Sequence, residues 1–339
     1  MFRPTLPFMT GALAVFFATA SFARDITDMT GRIVTVPDQI ETVITLGSVP
    51  VINSFVEASG NGSKIVSGLP ERFAKSGRWA AQYIFAPQIK DAPDLQDADY
   101  VPVIEKILVL KPDVAITFDQ ASTDLLTANG IATVMLRVQT PDEAKDAVIL
   151  LADLFGTLDV GPRYTAFFDK TLASVAEKLA AVPEESRPRV LYISPKNMTQ
   201  PHLIAEWWMK TGGARSVTDD GRTTETLALT TEMVVGADPD LIIVADPKDV
   251  AVLHEDSNLS QLRAVKEGHI LITPVGAHIW GNRTSEQPLS VLWVATKLYP
   301  DLFPEADLRA TVHSFYKDFF GADLSDDQIS TILNAGIKG

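Results

Sequence analysis

The stretch DVGPRYTAFFDKTLASVAEKLAAV, residues 159–182, decides how the chain is read. Asp159 is a residue type that caps helix starts and Pro162 suits a first turn. Tyr164, Phe168, Leu172, Val175, Leu179 and Val182 then recur at spacings of three and four, which lays one apolar stripe along one long helix. At ~1.5 Å per residue it spans roughly 35 Å, and Pro183 stops it. Strand and helix signals precede it and return after it. The expected fold class is therefore α/β: two lobes, each with a mostly parallel central sheet flanked by helices, joined by this one backbone helix. An ordinary surface helix inside a single larger domain is the alternative.

The chain opens with Arg3, an apolar run through residues 11–17 and the small-residue stretch Ala20–Ala23, the anatomy of a secretory leader cleaved after Ala23. The run is too short for a comfortable membrane span and has no basic flank behind it. The expected plan is a leader over 1–23, a first α/β lobe over 24–158, the backbone helix over 159–182 and a second α/β lobe over 183–339. There is no cysteine, so neither a disulfide nor a lipid anchor on cysteine is available. These features point to a free, monomeric periplasmic protein. The formal charge is −14, and losing Arg3 with the leader makes it −15. That balance argues against nucleic acid and anionic lipid as partners.

In the first lobe, DITDMTGRIVTVP reads as a hairpin bent at Gly31, and Gly47-Ser48-Val49-Pro50 opens a short helix whose free N–H groups face the end of the preceding strand. No phosphate-loop glycine pattern accompanies it. Residues 65–93 gather Arg72, Lys75, Arg78, Trp79 and Tyr83, a mixture of bases and aromatics that suits a large anionic, partly aromatic ligand or else forms a solvated basic patch. A helix ending at Lys111-Pro112-Asp113 and a buried strand follow. The same order returns at Glu232 to Asp246, where Ala237-Asp238-Pro239-Asp240 stops a helix before the strand LIIV, so Glu105 corresponds to Glu232.

Ligands of open α/β sheets bind outside the carboxyl ends of the strands. That rule nominates Ser48, Arg72, Arg78, Trp79, Tyr83 and Phe118 from the first lobe. From the second it nominates Lys196, Asp246, His278, Trp280 and Arg283, with Trp280 read as a cleft wall because Gly276, Gly281 and Asn282 flank it. No nucleophile elbow, zinc-protease motif or paired-carboxylate spacing stands out. All five histidines fall after the long helix, which argues against a bare metal ion held between two lobes. No catalytic residue, cofactor or directly bound metal is expected.

The leader, the Lys111-Pro112-Asp113 stop, the long helix and the closing segment GNRTSEQPLSVLWVATKLYPDLF together resemble the periplasmic binding proteins of ABC importers for iron–siderophore complexes, cobalamin and haem. That resemblance implies a ligand trapped between lobes that close only modestly, because a continuous helix resists bending. It also implies docking on the inner-membrane permease through one surface glutamate per lobe, here Glu105 and Glu232. A metal chelate, above all a ferric siderophore, is the implied cargo. Haem (with Tyr83 or His278 as possible iron ligands), cobalamin and a nickel chelate stay open within the same family. An exported hydrolase with its site in the cleft is the alternative from another class.

Overall fold

The computed structural model describes residues 23–338. The leader expected over 1–23 lies outside them, apart from Ala23, which begins the first strand. Among the described residues the strands are β1 (Ala23–Thr27), β2 (Ile33–Pro37), β3 (Val43–Thr45), β4 (Val114–Thr117), β5 (Thr133–Met135), β6 (Arg189–Tyr192), β7 (Thr199–Gln200), β8 (Arg215–Ser216), β9 (Leu227–Ala228), β10 (Leu241–Val244) and β11 (Ile270–Ile272). β1 and β2 pair antiparallel around Gly31, whose φ of 85° suits the bend. β3, β4 and β5 form one parallel sheet, and β11, β10, β6 and β8 form the second. VAIT and VIT are buried throughout, as strands covered on both faces must be.

The covering helices of the first lobe are α1 (Val49–Ala58), α2 (Glu71–Ser76), α3 (Gln82–Phe85), α4 (Ile104–Leu110), α5 (Gln120–Ala128) and α6 (Pro141–Phe155). Helix α7 (Val160–Leu179) follows, and the second lobe carries α8 (Ile204–Thr211), α9 (Thr231–Ala237), α10 (Pro247–Glu255), α11 (Arg263–Lys266), α12 (Gln287–Leu298), α13 (Glu305–Phe320) and α14 (Asp326–Leu333). The stripe of α7 buries Tyr164, Phe168, Val175 and Leu179, with Leu172 and Val182 half-buried at its margin. Asp159 does not cap it. Its carboxylate pairs instead with Arg163 one turn on, at 3.0 Å, and the helix stops at Leu179, three residues short of the expected end.

The internal repeat has a physical basis. Lys111 and Asp238 end α4 and α9 in the left-handed conformation, at φ 50° and 37°. In each copy the aspartate after the proline then ties down the neighbouring strand. Asp113 Oδ2 accepts from the N–H groups of Glu41 and Thr42 at 2.9 and 2.8 Å, and Asp240 Oδ2 accepts from Arg189 N–H at 2.8 Å. The carboxylate thus supplies the acceptor for N–H groups just before β3 and at the first residue of β6.

The lobes share more than α7. One apolar core runs from Phe55 and Phe85 of the first lobe through Tyr164 and Phe168 to Trp208, Trp280, Trp293, Phe315 and Tyr316 of the second. Phe85 stacks on Tyr316 with ring centres 4.8 Å apart. Polar bonds cross the same seam: Ser285 Oγ donates to Ser54 O at 2.8 Å, Tyr164 Oη to Ser285 O at 2.6 Å, and Gln82 Nε2 to Ala277 O at 2.8 Å.

Glu57, in α1, lies wholly buried at this seam, and neither carboxylate oxygen has a partner among the described residues. Burial, then the charge of buried Glu286, pushes its pKa well above the ordinary carboxylate value. A raised folded pKa means the native state holds the proton that the unfolded chain releases, so stability falls as pH rises from the unfolded value of about 4.5, by up to ~1.4 kcal/mol per unit. E57Q is expected to raise Tm, with the gap over the unmodified protein wider at pH 8 than at pH 5. Calorimetric melts at the two pH values test this, and a gap that shrinks with pH refutes it.

Candidate ligand-binding site between the lobes

A cavity of about 890 Å³ opens at the carboxyl ends of β3, β4 and β5. Gly47, at φ 90°, turns the chain out of β3 so that Ser48 and the first turn of α1 face it. Ser48 makes no side-chain cap, yet the helix start does not hold the free N–H groups expected from sequence: Val49 N–H donates to Gly47 O and Val51 N–H to Ser48 O, each at 2.9 Å, and Pro50 has none. Phe118 and Asp119 leave β4, and Leu136, Arg137, Val138 and Gln139 leave β5. The Asp119 carboxylate is committed to capping α5, accepting from Ser122 N–H at 2.6 Å, and the Ser122 hydroxyl, then this backbone bond, holds its pKa below the ordinary value.

The loop 99–102 forms the facing wall. Gln96 anchors it by a reciprocal pair with Gly47, accepting from its N–H at 2.6 Å and donating to its carbonyl at 2.9 Å. Asp97 Oδ1 accepts from the N–H groups of Asp99 and Val101, which holds Tyr100 at φ 68°. A left-handed tyrosine is a costly conformation, and here it presents an aromatic ring at a cavity. The Arg72 guanidinium sits 4.3 Å over that ring and 4.4 Å over Phe73.

The second lobe contributes Asn282 and Arg283. Arg283 Nε lies 3.6 Å from Glu225, which also meets His202 at 3.1 Å. Burial alone would raise the Glu225 carboxyl, but the His202 hydrogen bond and the Arg283 and Arg222 charges outweigh it and hold its pKa low. Arg137 is similarly tethered, 2.8 Å from Glu143.

Of the residues nominated from sequence, Ser48, Phe118 and Arg283 line this cavity, and Arg72 backs it through Tyr100. Trp280 is not a cleft wall. It is wholly buried in the shared core, and its flanking glycines serve close packing, since a Cβ on Gly281 would come 2.6 Å from the Tyr192 hydroxyl. Arg78, Trp79, His278 and Tyr83 are also absent from the lining. Arg78 crosses the seam instead, donating to Ala335 O at 3.0 Å and Ala245 O at 2.7 Å, with Asp246 3.7 Å away. Trp79 Nε1–H donates to His278 Nδ1 at 2.9 Å, and both side chains are buried. Tyr83 packs half-buried against the core, Lys196 projects from the exposed turn after β6, and Asp246 caps α10. Tyr100, Arg137 and Gln139 were not nominated. Arg137 and Gln139 follow a three-residue strand too short to read, although the strand-end rule applied there finds them.

Among the described residues no group of three His, Cys, Asp or Glu is placed to hold a metal ion, and no helix is long and apolar enough to cross a membrane.

The periplasmic binding protein family model matches residues 74–275. The chain belongs to this family. The molybdate-binding protein MolA of Haemophilus influenzae is 25% identical over 93% of the chain and 97% of its own length. Among solved structures, a periplasmic solute-binding protein of Veillonella parvula is 25% identical, with a TM-score of 0.78 over 94% of this chain and 98% of its own. Nickel-bound CeuE of Helicobacter pylori is 21% identical, with a TM-score of 0.69 over 91% of this chain and 99% of its own, a likeness of fold. Family membership places the chain among the solute-binding components of ABC transporters, proteins of the periplasm.

The two arginines first grouped together therefore have separable roles. R78A is expected to lose the bonds across the seam and lower stability by about 2–3 kcal/mol in chemical denaturation while leaving ligand affinity within a few-fold. R283A is expected to weaken an anionic ligand about 10- to 100-fold in calorimetric titration with little change in stability. The reverse pattern would reverse the assignment.

Proposed function

We propose that this protein captures an anionic metal-bearing solute in the cavity between its lobes and hands it to the inner-membrane permease of an ABC importer. The observation that supports this best is the pairing of Arg137 and Arg283 with the aromatic rings of Tyr100 and Phe118 around one 890 Å³ space. That volume lies in the range of pockets that take small organic ligands, roughly 300–1,000 Å³. A metal chelate such as a ferric siderophore would use both the charge and the rings. A second reading, a tetrahedral oxyanion such as molybdate, is favoured by the similarity to MolA over nearly the whole chain.

Calorimetric titration of the purified protein with ferric siderophores, haem, cobalamin, nickel–histidine and molybdate separates the readings. Saturable binding of an anionic chelate supports the first and binding of molybdate alone supports the second. Failure of every ligand overturns both.

The permease would be met by α4 and α9, the helices that lead into β4 and β10. Glu105 and Glu232 are exposed in the first turns of α4 and α9, at equivalent places in the internal repeat. Exposed apolar residues stand beside each, Leu108 and Val109 on α4 and Met233 and Val235 on α9, as a contact surface requires. The double substitution E105K/E232K is expected to abolish uptake by whole cells while leaving ligand affinity of the purified protein unchanged, and normal uptake would refute the docking role.

A further inference from the structure

The loop that brings Asn282 and Arg283 to the cavity contains a hydrogen-bond conflict. Trp79 donates to His278 Nδ1, and an indole nitrogen can only donate. Nδ1 therefore carries a lone pair, and the ring is neutral, because burial, reinforced by the charges of His202, Arg78 and Arg72, pushes its pKa down to about 3. A neutral imidazole with Nδ1 free holds its proton on Nε2.

That Nε2–H faces the side-chain amide of Asn282 at 3.2 Å, and on the amide's other side stands the backbone N–H of Arg283 at 2.7 Å. Both neighbours are donors, and the amide has one oxygen. With Oδ1 on Arg283 N–H, Nδ2 opposes His278 Nε2–H. With the amide turned by half a rotation, His278 is satisfied and Nδ2 opposes Arg283 N–H instead. The two orientations differ in where the unmet donors lie. His278 is buried, whereas Asn282 and Arg283 line the cavity. An unmet donor in the dry interior carries the full cost of its lost hydration, while one at the cavity can be met from outside the protein.

We infer that an oxygen atom of the anionic cargo accepts from Asn282 Nδ2 and Arg283 N–H together, with the amide oxygen turned to His278. This inference rests on the anionic reading of the cargo proposed above and adds Asn282 as a ligand-contacting residue. It also makes Trp79, on the first lobe and outside the cavity, a positioning residue: by fixing the proton on His278 Nε2 it fixes which face of the Asn282 amide the ligand meets.

Nitrogen-15 NMR of His278 in the ligand-free full chain is expected to show the Nε2–H tautomer, and an Nδ1–H tautomer overturns the inference. With molybdate and a ferric siderophore as probes, N282D places an acceptor toward both donors and removes the amide N–H groups, so binding is expected to weaken about 10- to 100-fold. N282A removes the same donors without adding charge, and an expected loss of about tenfold separates their contribution from repulsion. W79F frees Nδ1 to take the proton, letting Nε2 accept from Asn282 Nδ2 while Oδ1 keeps Arg283 N–H. The expected result is a switched tautomer with weakened binding, and a switched tautomer with unchanged binding overturns the inference. Unweakened N282D and N282A against a binding wild type overturn this inference alone, whereas a wild type that binds neither probe overturns the anionic reading together with it.

Discussion

The carboxylate of Glu286 is the point on which the inter-lobe geometry rests. It is wholly buried at the start of α12 and accepts from Ala277 N–H at 2.8 Å, His278 N–H at 3.1 Å and the hydroxyl of Tyr316. Burial raises its pKa, and those donors pull the other way. One group thereby joins the loop after β11, the first turn of α12 and the middle of α13. Any side chain at position 276 would overlap both Glu286 Oε1 and the Tyr316 hydroxyl, so only glycine lets the three approach. Removing a single partner from a buried charged cluster leaves a dry charge unmet, which is why such a knot fixes one arrangement of the elements around it.

The first lobe hangs from this knot. Gln82 reaches Ala277, Trp79 reaches His278 and Ser54 meets Ser285, so three successive points of the loop 277–285 are gripped from across the seam. With Phe85 stacked on Tyr316 and α7 packed against both α6 and α12, the rear of the molecule is one continuous interior. Densely packed interiors resist continuous deformation. In front of the seam stand the loop 99–102, held by Gln96 and Asp97, and the tip at Asn282 and Arg283. The modest closing stroke that the family resemblance implies would rest on this packing as much as on the stiffness of α7.

Much of the architecture was legible because it follows from periodicity. The stripe from Tyr164 to Leu179 and the two proline-aspartate stops each express one local rule, and the parallel sheets are those rules carried out. Asp113 and Asp240 show why the repeat exists, since it supplies matching acceptors at two strand ends. Three residues that line the cavity, Ser48, Phe118 and Arg283, were within reach of the strand-end rule. What failed was the reading of environment from composition. Glycines around Trp280 suggested an open loop, yet Gly276 and Gly281 are small because large side chains crowd them. Arg78 in a polar stretch looks the same in sequence whether it faces a ligand or terminates two carbonyls of the opposite lobe. Tyr100 was hidden because its exposure depends on a left-handed backbone set by Asp97, a tertiary choice that no spacing records.

On the anionic reading of the cargo proposed above, a protein of charge −14 needs its cations to be local and conditional. Both arginines of the cavity meet that requirement in the same way. Arg137 is held by Glu143 and Arg283 by Glu225, each glutamate standing outside the cavity lining. An incoming anion must compete with these carboxylates, so a weakly coordinating ion such as chloride gains little by displacing them, while a ligand that offers several oxygens at once can displace both. On that reading each partly exposed tether adds only a small release cost, so the preference comes mainly from reach: cargo that engages both arginines gains more than cargo that reaches one of them.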